Sequence, residues 1–128
     1  MLQISRNGNV RVSKGDTFDL PVEINININN TSDTPLTINP TDIIYFRLFE
    51  ANAPWDFPLV KKNFTGEDVD ANNTLVVGFT RTDTVWLYPG TYYYEVKVCR
   101  PREVEFIEGV EQQDTYITVI PRRKFILQ

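Results

Sequence analysis

Residues 18–28, Phe-Asp-Leu-Pro-Val-Glu-Ile-Asn-Ile-Asn-Ile, decide the fold class. Apolar side chains occupy every second position of this stretch, and polar residues or proline lie between them. A period of two is typical of a β-strand that buries one face and exposes the other. We therefore predict one long half-buried strand here. Pro21 favours an edge position because proline donates no backbone hydrogen bond.

Shorter segments of the same kind follow along the chain, and stretches rich in Gly, Pro, Asn and Asp separate them. No helical period of 3.6 residues persists for three turns. The sequence predicts a single all-β domain over residues 1–128, built as a sandwich or barrel. The further strands are expected at residues 9–13, 43–50, 59–64, 74–80 (interrupted by Gly78), 91–100, 103–108, 114–120 and 124–127.

The apolar positions of these strands predict one core. Its expected members are Phe18, Leu20, Val22, Ile24, Ile26, Ile44, Phe46, Leu48, Tyr92, Tyr94, Val96 and Val98. The strand at 43–50 carries apolar bulk on both faces, so we expect it to be central. Trp86 and Tyr88, which flank Leu87 in the crossover segment 82–90, are expected to close the core. Cys99 is expected to be a small buried residue at a strand end.

The composition excludes several kinds of chemistry. The chain contains no histidine and one cysteine, which excludes Ser-His-Asp and Cys-His nucleophile systems, metal sites that need histidine, and an intrachain disulfide. We therefore predict no catalytic residue, no cofactor and no enzymatic activity. A net charge of −4 argues against a nucleic-acid partner. The basic groups at residues 100–102 and 122–124 are expected to be solvated.

One acidic group could in principle bind a metal ion. Glu67, Asp68 and Asp70 form the best candidate for a hard-cation site. The group lacks the glycine and the downstream glutamate of an EF-hand loop, so we expect a solvated turn and no metal. Asp83, between two threonines, is expected to cap nearby backbone amides.

The N-terminal residues 1–6 lack the apolar segment of a signal peptide, and no apolar run reaches the length of a membrane span. We therefore expect folding in a reducing cytoplasm and no membrane partner. On this expectation the sequons at Asn29, Asn63 and Asn72 arise by chance in asparagine-rich turns.

Candidate interaction residues lie in three places: the loop 51–58, the strand 91–100 and the C-terminal segment. Trp55 and Phe57 occupy the proline-bounded loop 51–58, and Tyr93 faces away from its neighbours on the same strand. Such rings stack on sugars, fill a partner's pocket or close the ends of the sandwich. The C-terminal segment must either pair with its own sheet or dock on a neighbour. The candidate interface residues are Trp55, Phe57, Tyr93, Phe125, Ile126 and Leu127.

Residues 83–98, Asp-Thr-Val-Trp-Leu-Tyr-Pro-Gly-Thr-Tyr-Tyr-Tyr-Glu-Val-Lys-Val, resemble a motif of Ig-like sandwiches. In that motif a short crossover leads through Pro-Gly into a strand of alternating tyrosine and apolar residues. The resemblance implies an Ig-like antiparallel β-sandwich of about seven to nine short strands. It also implies that Tyr92 is a corner tyrosine whose hydroxyl binds upstream backbone. The paired cysteines and the strand tryptophan of antibody domains are absent.

The chain also resembles the small β-sandwich domains of tailed-phage structural proteins, in particular the N-terminal domain of phage baseplate upper proteins. Residues 14–24, 44–48 and 83–96 carry the resemblance. It implies a virion component, an adaptor or decoration module of the tail, baseplate, neck or capsid, assembled in the bacterial host cytoplasm. Its partners would be other virion proteins and copies of itself, with no cofactor. The alternative is a carbohydrate-binding module that uses Trp55, Phe57 or Tyr93.

Overall fold

The computed structural model describes residues 2–24, 38–100 and 115–128, and these residues form two packed β-sheets. A 3-10 helix at Gly66–Asp68 and a one-turn helix, α1, at Arg81–Thr84 lie between strands. The strands are β1 (Gln3–Ile4), β2 (Val10–Val12), β3 (Phe18–Glu23), β4 (Ile43–Phe49), β5 (Val60–Thr65), β6 (Thr74–Phe79), β7 (Gly90–Arg100) and β8 (Thr115–Leu127).

The larger sheet has the strand order β1-β2-β8-β7-β4-β5, and β3 pairs with β6 in the smaller one. Pairing among these strands is antiparallel except for β2 and β8, which run parallel with Val10 opposite Phe125. The division of β3 and β6 from β4, β7 and β8 is that of Ig-like domains. The predicted all-β, Ig-like sandwich is therefore confirmed, with one parallel pair added to the antiparallel arrangement.

The period-two pattern places the core between the two sheets. In β3, Leu20 and Val22 are buried, whereas Asp19, Pro21 and Glu23 are exposed. A shift of one residue would reverse this arrangement, so the hydrophobic pattern fixes the register. Of the predicted core, Ile26 lies outside the described residues and Phe18 is half-buried; the others are buried. They are joined by Val10, Val12, Val60, Leu75, Val77, Phe79, Leu87, Ile120, Phe125 and Leu127.

Strand β4 is central, as its two apolar faces predict. It pairs with β5 on one side and with β7 on the other. Its even-numbered residues, Ile44, Phe46 and Leu48, face the core. Phe49 lies on the opposite face, yet it is also fully buried.

The structure corrects two strand boundaries. Residues 115–127 form one continuous strand instead of the two predicted segments. Tyr94 pairs with Arg123 and Val96 with Ile120, so β8 carries an extra residue in a bulge at Pro121 and Arg122. A bulge tolerates a proline because ladder hydrogen bonds are already interrupted there. Strand β6 is not interrupted at Gly78, which pairs with Asp19. The predicted segment at 103–108 lies outside the described residues.

The crossover between the sheets is held by local hydrogen bonds. The Asp83 carboxylate accepts a bond from the Thr80 amide at 2.8 Å, which confirms its predicted capping role. The Tyr92 hydroxyl donates to the Tyr88 carbonyl oxygen at 2.6 Å. Tyr92 is therefore the corner tyrosine that the Ig-like motif implied.

At the opposite end of the sandwich, a buried carboxylate joins two distant segments. Asp42 is fully buried and accepts two hydrogen bonds from Arg100, at 3.0 and 2.9 Å, and one from the Asn39 amide. Burial alone would raise the pKa of Asp42. The hydrogen bonds and the charge of Arg100 outweigh burial, so the pKa lies below its ordinary value.

Candidate functional site

The strongest concentration of charge lies on the outer face of the larger sheet, the side turned away from β3 and β6. Alternation along the strands places six cations on this face, and Glu95 is the only acidic residue beside them among its described strand positions. We call this surface the basic face. Its cations are Arg11 on β2, Arg47 on β4, Lys61 on β5, Lys97 on β7, and Arg122 and Lys124 on β8.

Trp55 folds from its loop onto the basic face. The Lys97 Nζ atom lies 4.3 Å from the centre of its indole ring, and the Arg47 guanidinium carbon lies 5.8 Å from it. Its ring also packs against Phe49, with 5.6 Å between centroids. Trp55 is therefore half-buried, and its ring is in contact with side chains of the same chain.

Glu95 connects two of the cations. Its carboxylate lies 3.6 Å from Lys97 Nζ and 3.1 Å from Arg122 Nε. The Arg122 guanidinium also stacks over Phe49, at 4.1 Å from the ring centre, which explains why an outward-facing phenylalanine is buried. Residues 122–124 were expected to be a solvated group, but Arg122 and Arg123 are half-buried. Only Lys124 is exposed as expected.

Arg47 is fixed by backbone as well as by rings. Its Nη1 atom donates to the carbonyl oxygens of Phe46 and Lys62, at 2.9 and 3.2 Å. The guanidinium lies 5.0 Å from the Tyr45 ring centre. Burial lowers the pKa of Arg47, because loss of water disfavours its charged form.

Two shallow cavities open on the basic face. One, of about 350 Å³, is lined by Ile4, Arg11 and Ile126 together with neighbouring residues of β1 and β2. The other, of about 330 Å³, is lined by Ala51, Asn52, Tyr93 and Arg122. Tyr93 and Ile126, two candidate interface residues, therefore lie on this face and are half-buried.

A second candidate surface lies at one end of the sandwich. Strand β4 ends and β7 begins there, with Phe49 opposite Tyr93, so the loops that carry Phe57, Trp86 and Tyr88 lie at the same end. These rings are 72%, 55% and 84% exposed. We call them the aromatic end.

The exposure of Trp86 and Tyr88 contradicts the prediction that they close the core. Leu87 is the buried residue of the crossover, and its amide binds the Thr84 carbonyl oxygen at 3.0 Å. With Leu87 turned inward, the residues on either side of it point outward. Sequence reasoning therefore missed two of the three rings at the aromatic end, and the Pro-Gly that follows them was the signal that this segment is a surface turn.

The C-terminal candidates divide between core and surface. Phe125 and Leu127 are buried against the other core residues, and Phe125 packs 5.7 Å from the Phe79 ring centroid. These two residues therefore belong to the chain's own core, because β8 pairs with β2 and β7. Only Ile126, on the alternate face, remains partly accessible.

The acidic turn has partners of its own. The Asp68 carboxylate accepts a bond from the Thr65 amide, and Asp70 accepts bonds from the amides of Asn72 and Thr74. Within residues 2–24, 38–100 and 115–128, no three acidic or cysteine side chains cluster as metal ligands would.

No helix in this part of the chain is long and apolar enough to cross a membrane. Cys99 is buried and unpaired by any disulfide.

Comparisons with protein-family models, with curated proteins and with solved structures found no match to this chain.

Proposed function

We propose that the chain is a non-catalytic docking module that binds other proteins through its aromatic end. The resemblance of residues 14–24, 44–48 and 83–96 to phage structural domains supports a place in a tailed-phage virion, as an adaptor or decoration component. Its partners are then other virion proteins and copies of itself, and its location is the particle, assembled in the host cytoplasm.

The observation that carries the docking proposal is the exposure of three aromatic rings at one end of the sandwich. Buried aromatic anchors contribute most of the binding energy in many protein interfaces. An exposed ring of this size is more costly to leave in water than the small polar residues that usually fill surface turns.

The backbone that carries these rings is held in place before any partner arrives. The Phe57 amide binds the Pro54 carbonyl oxygen at 3.0 Å, and the Tyr88 carbonyl oxygen is bound by Tyr92. Trp86 follows the capped helix α1. A surface held in this way loses less conformational entropy when it binds.

Two of the three residues first considered for sugar binding, Trp55 and Tyr93, are poorly placed for it. Lys97 lies over the Trp55 ring, and Tyr93 is half-buried, so neither offers an open ring face. A sugar would have to stack on the aromatic end, and this becomes an outcome of the test.

The test combines imaging of intact phage particles with variants of the aromatic end. We expect the chain in purified particles, with Trp86 and Tyr88 buried against a neighbouring protein. The double variant Trp86→Ser with Tyr88→Ser should fold and be lost from particles. The control Val76→Ser, on strand β6 of the smaller sheet, removes another exposed apolar side chain and should be retained.

Two results would overturn the proposal. One is a particle in which the chain is present with its aromatic end in solvent. The other is absence from particles together with micromolar binding on a glycan array that disappears in the Trp86→Ser variant; this would assign the chain to the carbohydrate-binding modules.

A further inference from the structure

We propose that the basic face is a second docking surface, selective for an acidic protein surface rich in Asp and Glu side chains. This proposal rests on the proposed function only for the statement that the partner is a protein. The chain carries a net charge of −4, yet the described strand positions of this face hold six cations and one carboxylate. Exposed positions of β3 on the opposite side of the sandwich carry Asp19 and Glu23 and no cation. Charge is therefore segregated between the two sides of the molecule.

The centre of the basic face is arranged before binding. Arg47, Lys97 and Arg122 are each held by a ring, a carbonyl oxygen or Glu95. Glu95 lies between two cations, so its charge is already compensated within the face. Ordered charges of this kind attract an oppositely charged partner with little further loss of side-chain entropy.

The surrounding cations are free to reach a partner. Arg11, Lys61 and Lys124 are exposed, and they stand on strands β2, β5 and β8, across the width of the sheet. They provide the longer-range attraction that accelerates association and fixes orientation.

The area of the face is suitable for a protein partner. Six strands spaced about 4.8 Å apart, with a length near seven residues, give a surface of roughly 600 Å² before side chains are counted. A standard interface buries about 800 Å² on each partner. The basic face is therefore close to the size of one protein interface.

The rings on this face favour a protein over a single-stranded nucleic acid. Nucleic-acid surfaces of this kind stack bases on open aromatic rings between cations. Here Lys97 lies over Trp55 and Arg47 lies over Tyr45, so the protein's own cations cover these two rings. Carboxylates need only the cations, which remain accessible at their edges.

The experiment measures binding of the full chain to poly-L-glutamate by fluorescence anisotropy over a series of salt concentrations. Wild type should bind, with affinity falling as salt rises. The triple variant Arg11→Ser, Lys61→Ser, Lys124→Ser should bind about tenfold more weakly, since each exposed ion pair contributes a few tenths to 1 kcal/mol. The control triple Arg6→Ser, Lys14→Ser, Arg81→Ser removes the same charge from exposed positions elsewhere and should change affinity less than twofold.

Three results would overturn the inference: no binding of wild type to poly-L-glutamate, equal weakening by the two triple variants, or tighter binding of an oligo(dT) strand than of poly-L-glutamate at the same face. The last would make the face a nucleic-acid site. The Trp86→Ser, Tyr88→Ser variant should keep wild-type affinity for poly-L-glutamate, so failure of the aromatic end and failure of the basic face give different results.

Discussion

The two faces of the larger sheet are built from the same strands but are stabilised by different interactions. On β4, Ile44, Phe46 and Leu48 face inward and are fully buried, whereas Tyr45 and Arg47 face outward and are half-buried. The inner face is held by close packing of apolar side chains. The outer face is held by rings under cations and by ion pairs. Alternate residues of one strand therefore specify the fold and the candidate binding surface separately.

The largest expected difference between the faces comes from neighbouring residues of β4. The Phe46 ring lies 5.6 Å from the ring centroids of both Phe79 and Tyr94. Phe46→Ala leaves a cavity in the core and should lower the free energy of unfolding by about 3–5 kcal/mol. Tyr45→Ala removes a half-buried ring next to Arg47 and should cost about 1 kcal/mol. Urea denaturation of both variants measures the difference, and equal losses would show that the faces are assigned incorrectly.

Two ion pairs extend the comparison to charges. Arg100 binds the fully buried Asp42, while Arg122 binds Glu95 on the outer face. Arg100→Ala leaves a buried carboxylate without its cation and should cost about 3 kcal/mol. Arg122→Ala should cost about 1 kcal/mol or less. A larger loss from Arg122→Ala than from Arg100→Ala would reverse the comparison.

The inner ion pair also predicts a dependence on pH. The pKa of Asp42 lies below its ordinary value of 3.8 in the folded protein, so the folded state binds this proton less readily than the unfolded state does. The stabilisation is present above pH 3.8 and is lost as pH falls through the folded pKa. In urea titrations from pH 7 to pH 3, wild type should lose stability more steeply than Asp42→Asn. Parallel curves would contradict this account.

The sequence predicts the inner face well because period two is a local signal. The alternation within each strand indicates which of its residues are buried, so most core residues could be assigned without knowing the strand order. The merging of 114–120 with 124–127 was missed because a bulge at Pro121 depends on pairing with β7. The Asp42–Arg100 pair was missed because 58 residues separate its members.

The outer face is harder to predict because its residues come from separate strands. Each of Arg47, Lys97 and Arg122, taken alone, looks like an ordinary solvated charge. Only the strand order brings them together around Glu95 and Trp55. Trp55, Tyr93 and Ile126, three of the candidate interface residues, lie on this face, but the cations that surround them were not among the candidates. Whether these residues bind a partner stays a prediction.

The smallest expected effect concerns two neighbouring hydroxyl groups on β7. Tyr92 faces the core, and its hydroxyl donates to the Tyr88 carbonyl oxygen. Burial raises the pKa of Tyr92, and the negative charge of Glu50 raises this pKa further. Tyr92→Phe leaves that carbonyl oxygen without its donor and should cost about 1 kcal/mol in unfolding free energy. Tyr93→Phe removes a hydroxyl on the outer face and should cost less than about 0.5 kcal/mol.

The two tyrosine variants should also differ in which part of the backbone is destabilised. Since Tyr92 anchors the segment that presents Trp86 and Tyr88, its loss should increase amide hydrogen exchange at residues 86–89 more than elsewhere. Tyr93→Phe should leave exchange there unchanged. Global unfolding without a local increase would mean that the corner tyrosine stabilises the whole sandwich and not the aromatic end in particular. In that case the aromatic end is held by α1 and by the Asp83 carboxylate that caps it, and Asp83→Ala becomes the substitution that should loosen it.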